Sequence, residues 1–399
     1  MIRLWMPFLA LFAFALITAL VATPLARLLA WRIGSVDYPG GRRINCKPLP
    51  RMGGIAIFVA LSAGVASQYL WMSLFGEPLF LGIDQRLAAL DYPKLAIGYL
   101  LIFVTGILDD VFGLSPKQKL LGQFVAAIMA VFGGLVIDVV INPFTNTAIE
   151  LGWAAYPITV CYLIAYANIF NLIDGLDGLA SGIACIAGFT MWIVSTMAGH
   201  TDAAALAIVL SGATLGFLGY NFNPASIILG DSGSLLIGFV LGSISLLSVQ
   251  RVAGLTSIIV PLVISLIPII DTFSAIVRRG RAHVSIGQAD KGHIHHRLME
   301  EGFNQRQTVL FIYLWTGMLS LGSIVMTQVE VMPRIFIFCV LIIASVLFAM
   351  RLHLFRPVLL HHNNPETGAD ELVNPQDEGF EEAAEKFEEE HPLFPHVGE

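Results

Sequence analysis

The sequence predicts an all-α protein: a polytopic transmembrane bundle of about eleven spans, with the N-terminus outside and the C-terminus in the cytoplasm. Three observations predict it. The 399 residues are 56% hydrophobic and 13% charged, with a mean hydropathy of +0.77, whereas soluble domains carry about 25% charged residues. Leu4–Ala26 and Val252–Ile270 run for 23 and 19 residues without a charge, and about 20 apolar residues cross a bilayer as a helix. The basic residues then gather on one side of the spans.

The first run, 4–30, is longer than the roughly 7–15-residue core of a signal peptide and is followed by further spans, so it reads as a retained helix. Further helices are predicted at 53–75, 94–108, 118–137, 152–167, 181–199, 203–220, 233–249, 256–276, 308–328 and 333–355. They lack the alternating polar and apolar faces of long soluble helices. Asp138–Glu150 alternates Val, Ile and Phe with polar residues around Asn142-Pro143, which suits a short outer hairpin.

An odd span number places the termini on opposite sides. With the N-terminus outside, the inner side receives 17 Lys and Arg and the outer side 5, the distribution expected of cytoplasmic loops. Residues 356–399 form an acidic tail that carries 12 of the 29 acids and only Arg356 and Lys386 as bases. Its composition predicts disorder, although Phe380, Ala384 and Phe387 have the spacing of a short amphipathic helix. Without the tail, the body has 20 bases and 17 acids. The net charge of −7 is therefore a property of the tail, and no basic face points to nucleic acid. The four cysteines form no CxxC pair, and three lie in apolar segments, where Cys acts as a small hydrophobe.

In this orientation five inter-helix loops face the cytoplasm, and all are rich in groups that bind phosphate or metal. The first holds Lys47 and Arg51 before Gly53-Gly54 at a helix start; free N–H groups there favour anions, although bases beside a span also serve topology. The second runs from Asp109-Asp110 to Lys117 and Lys119. Neighbours on a helix point about 100° apart, so one of the two acids faces any given centre, unless both simply solvate a helix end. The third reads Asn168, Asn171, Asp174, Gly175, Asp177, Gly178. Residues three apart share a helix face, so Asn171 and Asp174 can point together, and the glycines admit close backbone approach. The fourth contains Asn221, Asn223 and Gly230-Asp231-Ser232-Gly233-Ser234, one acid without a local cation. The fifth runs from Asp271 through Arg278, Arg279 and Arg281 to Gly292-His293-Ile294-His295-His296-Arg297. Its histidines can bind zinc, but the surrounding cations suit a diphosphate better.

Carboxylates and an Asn beside Lys, Arg and His suggest Mg²⁺ with phosphates, because Mg²⁺ prefers oxygen ligands and keeps few protein carboxylates. An apolar bundle around such a site suggests a lipid as the second substrate.

Together these loops resemble the polyprenyl-phosphate N-acetylhexosamine-1-phosphate transferase family over residues 1–355, most specifically through Asp109-Asp110, Asn171-Leu-Ile-Asp174-Gly-Leu-Asp177-Gly and Gly230-Asp231-Ser-Gly. The resemblance implies a transmembrane catalytic domain over 1–355. It also implies transfer of N-acetylhexosamine 1-phosphate from a UDP-sugar to polyprenyl phosphate at the cytoplasmic face of the inner membrane. By the resemblance, Asn171 and Asp231 hold Mg²⁺ (with Mn²⁺ as an alternative) and Lys119 contacts phosphate. Asp109 and Asp110 are essential acids with open roles, and Asp174 and Asp177 lie on the nucleotide and sugar side. The loop of His293, His295, His296 and Arg297 resembles that of members using N-acetylglucosamine rather than UDP-MurNAc-pentapeptide. Asp109, Asp110, Asp174, Asp177, Lys119, His293, His295 and His296 form the expected catalytic set; Lys47, Arg51, Gly53, Lys117, Asn168, Asn223, Arg278 and Arg297 complete the expected substrate-binding set, and a homodimer is left open. Two positions depart from the pattern: Asn45 stands where many relatives have His, and Ile228 where many have an aromatic residue that stacks on uracil.

Another membrane lipid phosphotransferase and a transporter are the competing readings. Transporters place ionisable groups near the midplane on broken helices, whereas Asp109, Asp110, Asp174, Asp177 and Asp231 cluster in loops on one side.

Overall fold

The computed structural model describes residues 2–38, 47–75, 90–141, 147–249, 256–284, 292–356, 358, 360–363 and 370–373. Helices stand at all eleven predicted positions. In chain order these elements are α1 (Ile2–Ile33), strands β1 (Val36–Asp37) and β2 (Leu49–Pro50), α2 (Gly54–Phe75), α3 (Tyr92–Phe112) and α4 (Pro116–Phe132). The hairpin β3 (Val139–Ile141) and β4 (Ala148–Glu150) follows, then α5 (Ala155–Ile173), α6 (Leu179–Met197), α7 (Thr201–Asn221) and α8 (Gly230–Val249). The chain continues through α9 (Thr256–Ile264), α10 (Leu266–Arg281), α11 (Ile294–Glu300), α12 (Gln305–Gln328) and α13 (Val331–Arg351), and ends in strands β5 (Leu360–Asn363) and β6 (Asp370–Val373). Among the described residues, eight helices are long and apolar enough to cross a membrane. The chain is a multi-pass, all-α membrane protein, and the outer hairpin expected within 138–150 is the β3–β4 pair.

Three local features differ from the sequence reading. The single helix expected over 256–276 is two helices that meet at Ser265. Pro268 has no N–H for the Ile264 carbonyl, and its ring clashes with that carbonyl in a continuous helix. The basic fifth loop contains a helix of its own, α11. In the tail, β5 and β6 pair as an antiparallel hairpin with Leu360 and Val373 buried, so this part of the segment expected to be disordered is ordered. The amphipathic helix expected near 380–387 lies outside the described residues.

Helix α8 is the centre of the bundle. Its apolar window is 94% buried, against 6% for the peripheral α13, and it touches α2, α3, α5, α6, α7 and α9. Small residues make the close contacts. A Cβ on Gly54 would lie 2.2 Å from the Gly233 nitrogen, and one on Gly106 would lie 2.4 Å from the Ser232 Cα. The start of α2 and the last turns of α3 thus meet the first turn of α8 backbone to backbone, which brings their polar residues together.

Candidate active site

The site forms where α3 and α4 meet the end of α5 and the start of α8. Helix α3 stops at Gly113, whose φ of 66° is left-handed and whose N–H donates to the Asp109 carbonyl. Ser115 and Gln118 form a capping box, and Pro116 occupies the first turn, a combination that starts a helix sharply. This tight connection carries Lys119 back over Asp109.

Lys119 is the hub. Its Nζ lies 2.8 Å from Asp109 Oδ2, 2.6 Å from Asp231 Oδ1 and 3.0 Å from Asn171 Oδ1. Asn171 Nδ2 donates to Asp231 Oδ1 and, at 2.9 Å, to Ser234 Oγ. Four helices therefore converge on one half-buried cation. Asp231 has no cation in its own loop, and α4 supplies one across 112 residues of sequence.

The adjacent acids separate as helix geometry requires. Asp109 turns to Lys119 and accepts the Leu114 N–H at 2.8 Å. Asp110 turns to α8 and accepts the N–H groups of Asp231 at 2.8 Å and Ser232 at 3.0 Å. It caps the first turn of another helix, where N–H groups lack intrahelical partners and the macrodipole favours an anion. Gly230 makes room for it: its φ is 74°, and a Cβ there would lie 2.6 Å from Asp110 Oδ2. Both Asp110 carboxylate oxygens accept from the backbone that carries Asp231, which anchors the first turn of α8.

The third loop also divides. Asn171 joins the Lys119 cluster. Asp174 follows the last residue of α5 and lies apart from that hydrogen-bond set. Burial first, then the charges of Asp231, Asp110 and Asp177, push its carboxyl well above the usual carboxylate range, with Arg51 as the opposing charge. Asp177 Oδ2 accepts Asn223 Nδ2 at 3.0 Å and the Ala225 N–H at 3.1 Å, so it braces the α7–α8 turn. Asn223 is tied further to Gln305 and, through its carbonyl, to Arg306. Asn168 pairs its amide with Gln123 of α4 at 2.7 and 3.2 Å. These contacts hold Asp177, Asn223 and Asn168 against neighbouring elements.

In the first loop, the N–H groups of Gly53 and Gly54 donate to the Ile228 and Leu229 carbonyls at 3.0 Å. The expected anion cradle is thus occupied by chain, and Gly53 is needed for packing: a Cβ there would lie 2.4 Å from the Phe217 ring. Arg51 Nε lies 3.8 Å from Asp37 Oδ1. Lys47 and Lys117 are exposed. Ile228 is partly buried and donates its N–H to the Pro50 carbonyl; Asn45 lies outside the described residues.

In the fifth loop, Nδ1 of His293 lies 2.8 Å from Asp271 Oδ2, and Asp271 Oδ1 accepts the Ile294 N–H at 2.7 Å. His295 stacks on His293 and lies against the tilted ring of His296, at ring separations of 5.8 and 4.3 Å. Its ring fills the space beside Gly175, where a Cβ would lie 2.3 Å from Cε1. The approach that Gly175 permits is thus of His295. Burial, reinforced by His296 and His293, lowers the His295 pKa to about 3. Arg278 is 1% exposed, and its Nη1 donates to Ser274 Oγ and to the Leu354 carbonyl, which ties α10 to the turn after α13. Arg297 reaches Glu300 and the Arg356 carbonyl.

Partners that hold the site include Ser234, and also Gln123, Gln305 and Tyr313, whose hydroxyl donates to the Gly178 carbonyl. Ser234 belongs to the Gly230–Ser234 motif of the fourth loop. The other three lie in apolar or capping contexts without a local signal.

Among the described residues, no three His, Cys, Asp or Glu side chains group as a metal site. The oxygens that converge on Lys119 nevertheless form a hard donor set of one amide and two carboxylates, the chemistry that suits Mg²⁺.

A sequence model of the family described as "Glycosyl transferase family 4" matches residues 92–249, the stretch that supplies Asp109, Lys119, Asn171 and Asp231. The chain is 40% identical over 332 residues to a probable undecaprenyl-phosphate N-acetylglucosaminyl 1-phosphate transferase of Bacillus subtilis, covering 83% of this chain and 88% of that protein. It is 35% identical to the decaprenyl-phosphate N-acetylglucosaminephosphotransferase of Mycolicibacterium smegmatis, with 77% and 79% covered. Identity to the undecaprenyl-phosphate alpha-N-acetylglucosaminyl 1-phosphate transferase of Escherichia coli K12 is 30%, with 74% and 77% covered.

Proposed function

The chain belongs to the polyprenyl-phosphate N-acetylhexosamine-1-phosphate transferases of glycosyl transferase family 4, and from that premise we propose that it transfers N-acetylglucosamine 1-phosphate from a UDP-sugar to undecaprenyl phosphate. A lipid phosphate oxygen attacks the β-phosphorus of the donor, the bond to the bridging oxygen breaks, and UMP leaves. The product is a lipid diphosphate sugar of the kind that starts cell-envelope glycans. The observation that carries the reading is the single position shared by Lys119, Asp109, Asn171 and Asp231.

Asn171 and Asp231 would hold Mg²⁺, with Mn²⁺ as an alternative ion; when bound, it neutralises charge on the donor diphosphate. Lys119 supplies a cation within reach of the same oxygens and can move to a phosphate as they change partner. Asp109 orients Lys119. Asp110 holds the first turn of α8 and so fixes Asp231. A phosphomonoester loses its second proton near pH 6, so the attacking oxygen is largely ionised at neutral pH and needs little help from a base. The one-sided distribution of Lys and Arg supports a cytoplasmic site in an inner membrane. The UDP donor and Mg²⁺ dependence are tested together: UMP release by purified protein should require UDP-N-acetylglucosamine, undecaprenyl phosphate and the ion. Robust turnover of UDP-MurNAc-pentapeptide with none of UDP-N-acetylglucosamine would overturn the sugar assignment.

A further inference from the structure

At the opposite end of the bundle, a cavity of about 550 Å³ opens between α2, α3, α7 and α8. It is separate from the active site. Tyr92, on its wall, and Asp109 are 17 residues apart on α3, about 25 Å along the helix axis. The walls are apolar, with Phe58, Leu61, Tyr99, Leu236 and Val240 at the inner end, and the volume lies in the range of sites that take small ligands.

Two features indicate the occupant. Val65 on α2 and Leu100 on α3 line the cavity and are 44% and 45% exposed, which marks its mouth. In a membrane-spanning helix such residues face hydrocarbon, so the cavity opens sideways toward lipid. The wall also carries Gln68, 7% exposed, whose Oε1 and Nε2 both lack a hydrogen-bond partner. A buried amide without a partner is costly. Gln68 and Asp202 mark the outer, polar end of the cavity: Gln68 is 14 residues into α2, about 21 Å from its site-side start, and Asp202 is in the first turn of α7. Polar groups at the interface with an apolar sleeve running toward the midplane match the layout of one lipid chain in that leaflet.

We propose that this cavity is a lipid-binding site. It takes one acyl chain of a glycerolipid from the leaflet opposite the active site, entering between α2 and α3, with an ester or hydroxyl group of the lipid hydrogen-bonded to Gln68. The chain replaces empty space against Leu236 and Val240, and the ester satisfies the amide.

The test uses the full-length protein in detergent micelles and a phosphatidylcholine carrying a diazirine near the end of one acyl chain. After photolysis, peptide mass spectrometry should place label on the inner walls around Leu61 and Leu236 above the level on other lipid-facing helices. Gln68→Leu should lower this labelling about fivefold at limiting probe, the loss expected for one hydrogen bond. Leu100→Trp should block the mouth and abolish it while leaving label elsewhere unchanged; because Leu100 is exposed, the substitution should not impair folding, and Val65→Trp at the opposite lip gives the same reading. Labelling spread evenly over the bundle, or unaffected by either mouth variant, would overturn the proposal. So would displacement of the probe by undecaprenyl phosphate but not by excess unlabelled phosphatidylcholine, because that result assigns the cavity to the substrate's own tail.

Discussion

The ammonium of Lys119 lies 2.6 Å from Oδ1 of Asp231, so the residue expected to hold a metal already has a cation beside it. Both charges serve the same oxygens. A divalent ion and the lysine therefore compete for one position unless Lys119 moves to the substrate phosphate.

Asp231→Asn keeps an oxygen but removes the charge that attracts either cation. The Mg²⁺ concentration for half-maximal UMP release should rise at least about tenfold, the range seen when a metal site loses a supporting interaction, and excess Mg²⁺ should restore part of the rate. Lys119→Gln should lower turnover without raising the Mg²⁺ requirement, because it removes the competitor and leaves the ligands. An unchanged Mg²⁺ dependence in Asp231→Asn refutes the metal assignment.

Asp110→Asn should behave as a lost helix cap. Its amide N–H₂ would face the N–H of Asp231 or Ser232, which costs about 1–2 kcal/mol and loosens the turn that carries Asp231. Reduced thermal stability in detergent and a lower rate that raising the pH does not restore are expected. Loss of a general base typically costs about 10²–10⁴-fold and is relieved as the nucleophile ionises. Strong recovery at high pH, with stability intact, would return Asp110 to the role of base.

The helices were legible because apolar length and loop polarity are local signals, and they located α1 to α8, α12 and α13 to within a few residues. Proline chemistry broke the predicted helix at Ser265, a break that hydropathy alone does not register. At the site, residue type and spacing singled out Asp109, Lys119, Asn171 and Asp231, which the fold brings together. They did not reveal that Asp110, Asp177, Asn168 and Arg278 are taken up by backbone or amide partners. Those partners lie on distant elements: Asp110 meets α8, and Arg278 meets the Leu354 carbonyl. A polar residue in a conspicuous motif looks the same from sequence whether it faces a ligand or a helix end.

The start of the tail is structural, so truncations should divide at the hairpin. Val358, Leu360 and Val373 are buried, and Val358 lies against Gly292, where a Cβ would be 2.8 Å from its Cγ2. A chain ending at Val373 should turn over within a few-fold of the full protein. One ending at Arg356 should melt earlier, because burying each such side chain contributes up to about 1.5–3 kcal/mol, and it should also lose rate as the His293–Arg297 loop loses support. Equal stability of the two truncations would show the hairpin to be dispensable.

His295 gives the site a defined acid sensitivity. Its imidazole is 3% exposed and packed between two other histidines, and burial followed by His296 lowers its pKa from 6.5 to about 3. The folded protein therefore keeps His295 neutral while the unfolded chain takes up a proton below pH 6.5. Stability rises with pH wherever the unfolded state binds more protons, so this contribution is complete above pH 6.5 and is lost progressively as the pH falls toward 3. At pH 5.0 the separation from the unfolded value is 1.5 units, which is about 2 kcal/mol. His295→Gln is similar in size and does not titrate. Its melting temperature should fall less between pH 7.5 and 5.0 than that of the unsubstituted protein, even if it starts lower. The comparison cancels the other carboxylates and histidines, because both proteins contain them. Parallel acid profiles would mean that His295 is already solvated and protonated in the folded state, and the close approach of its ring to Gly175 would then have to open in solution.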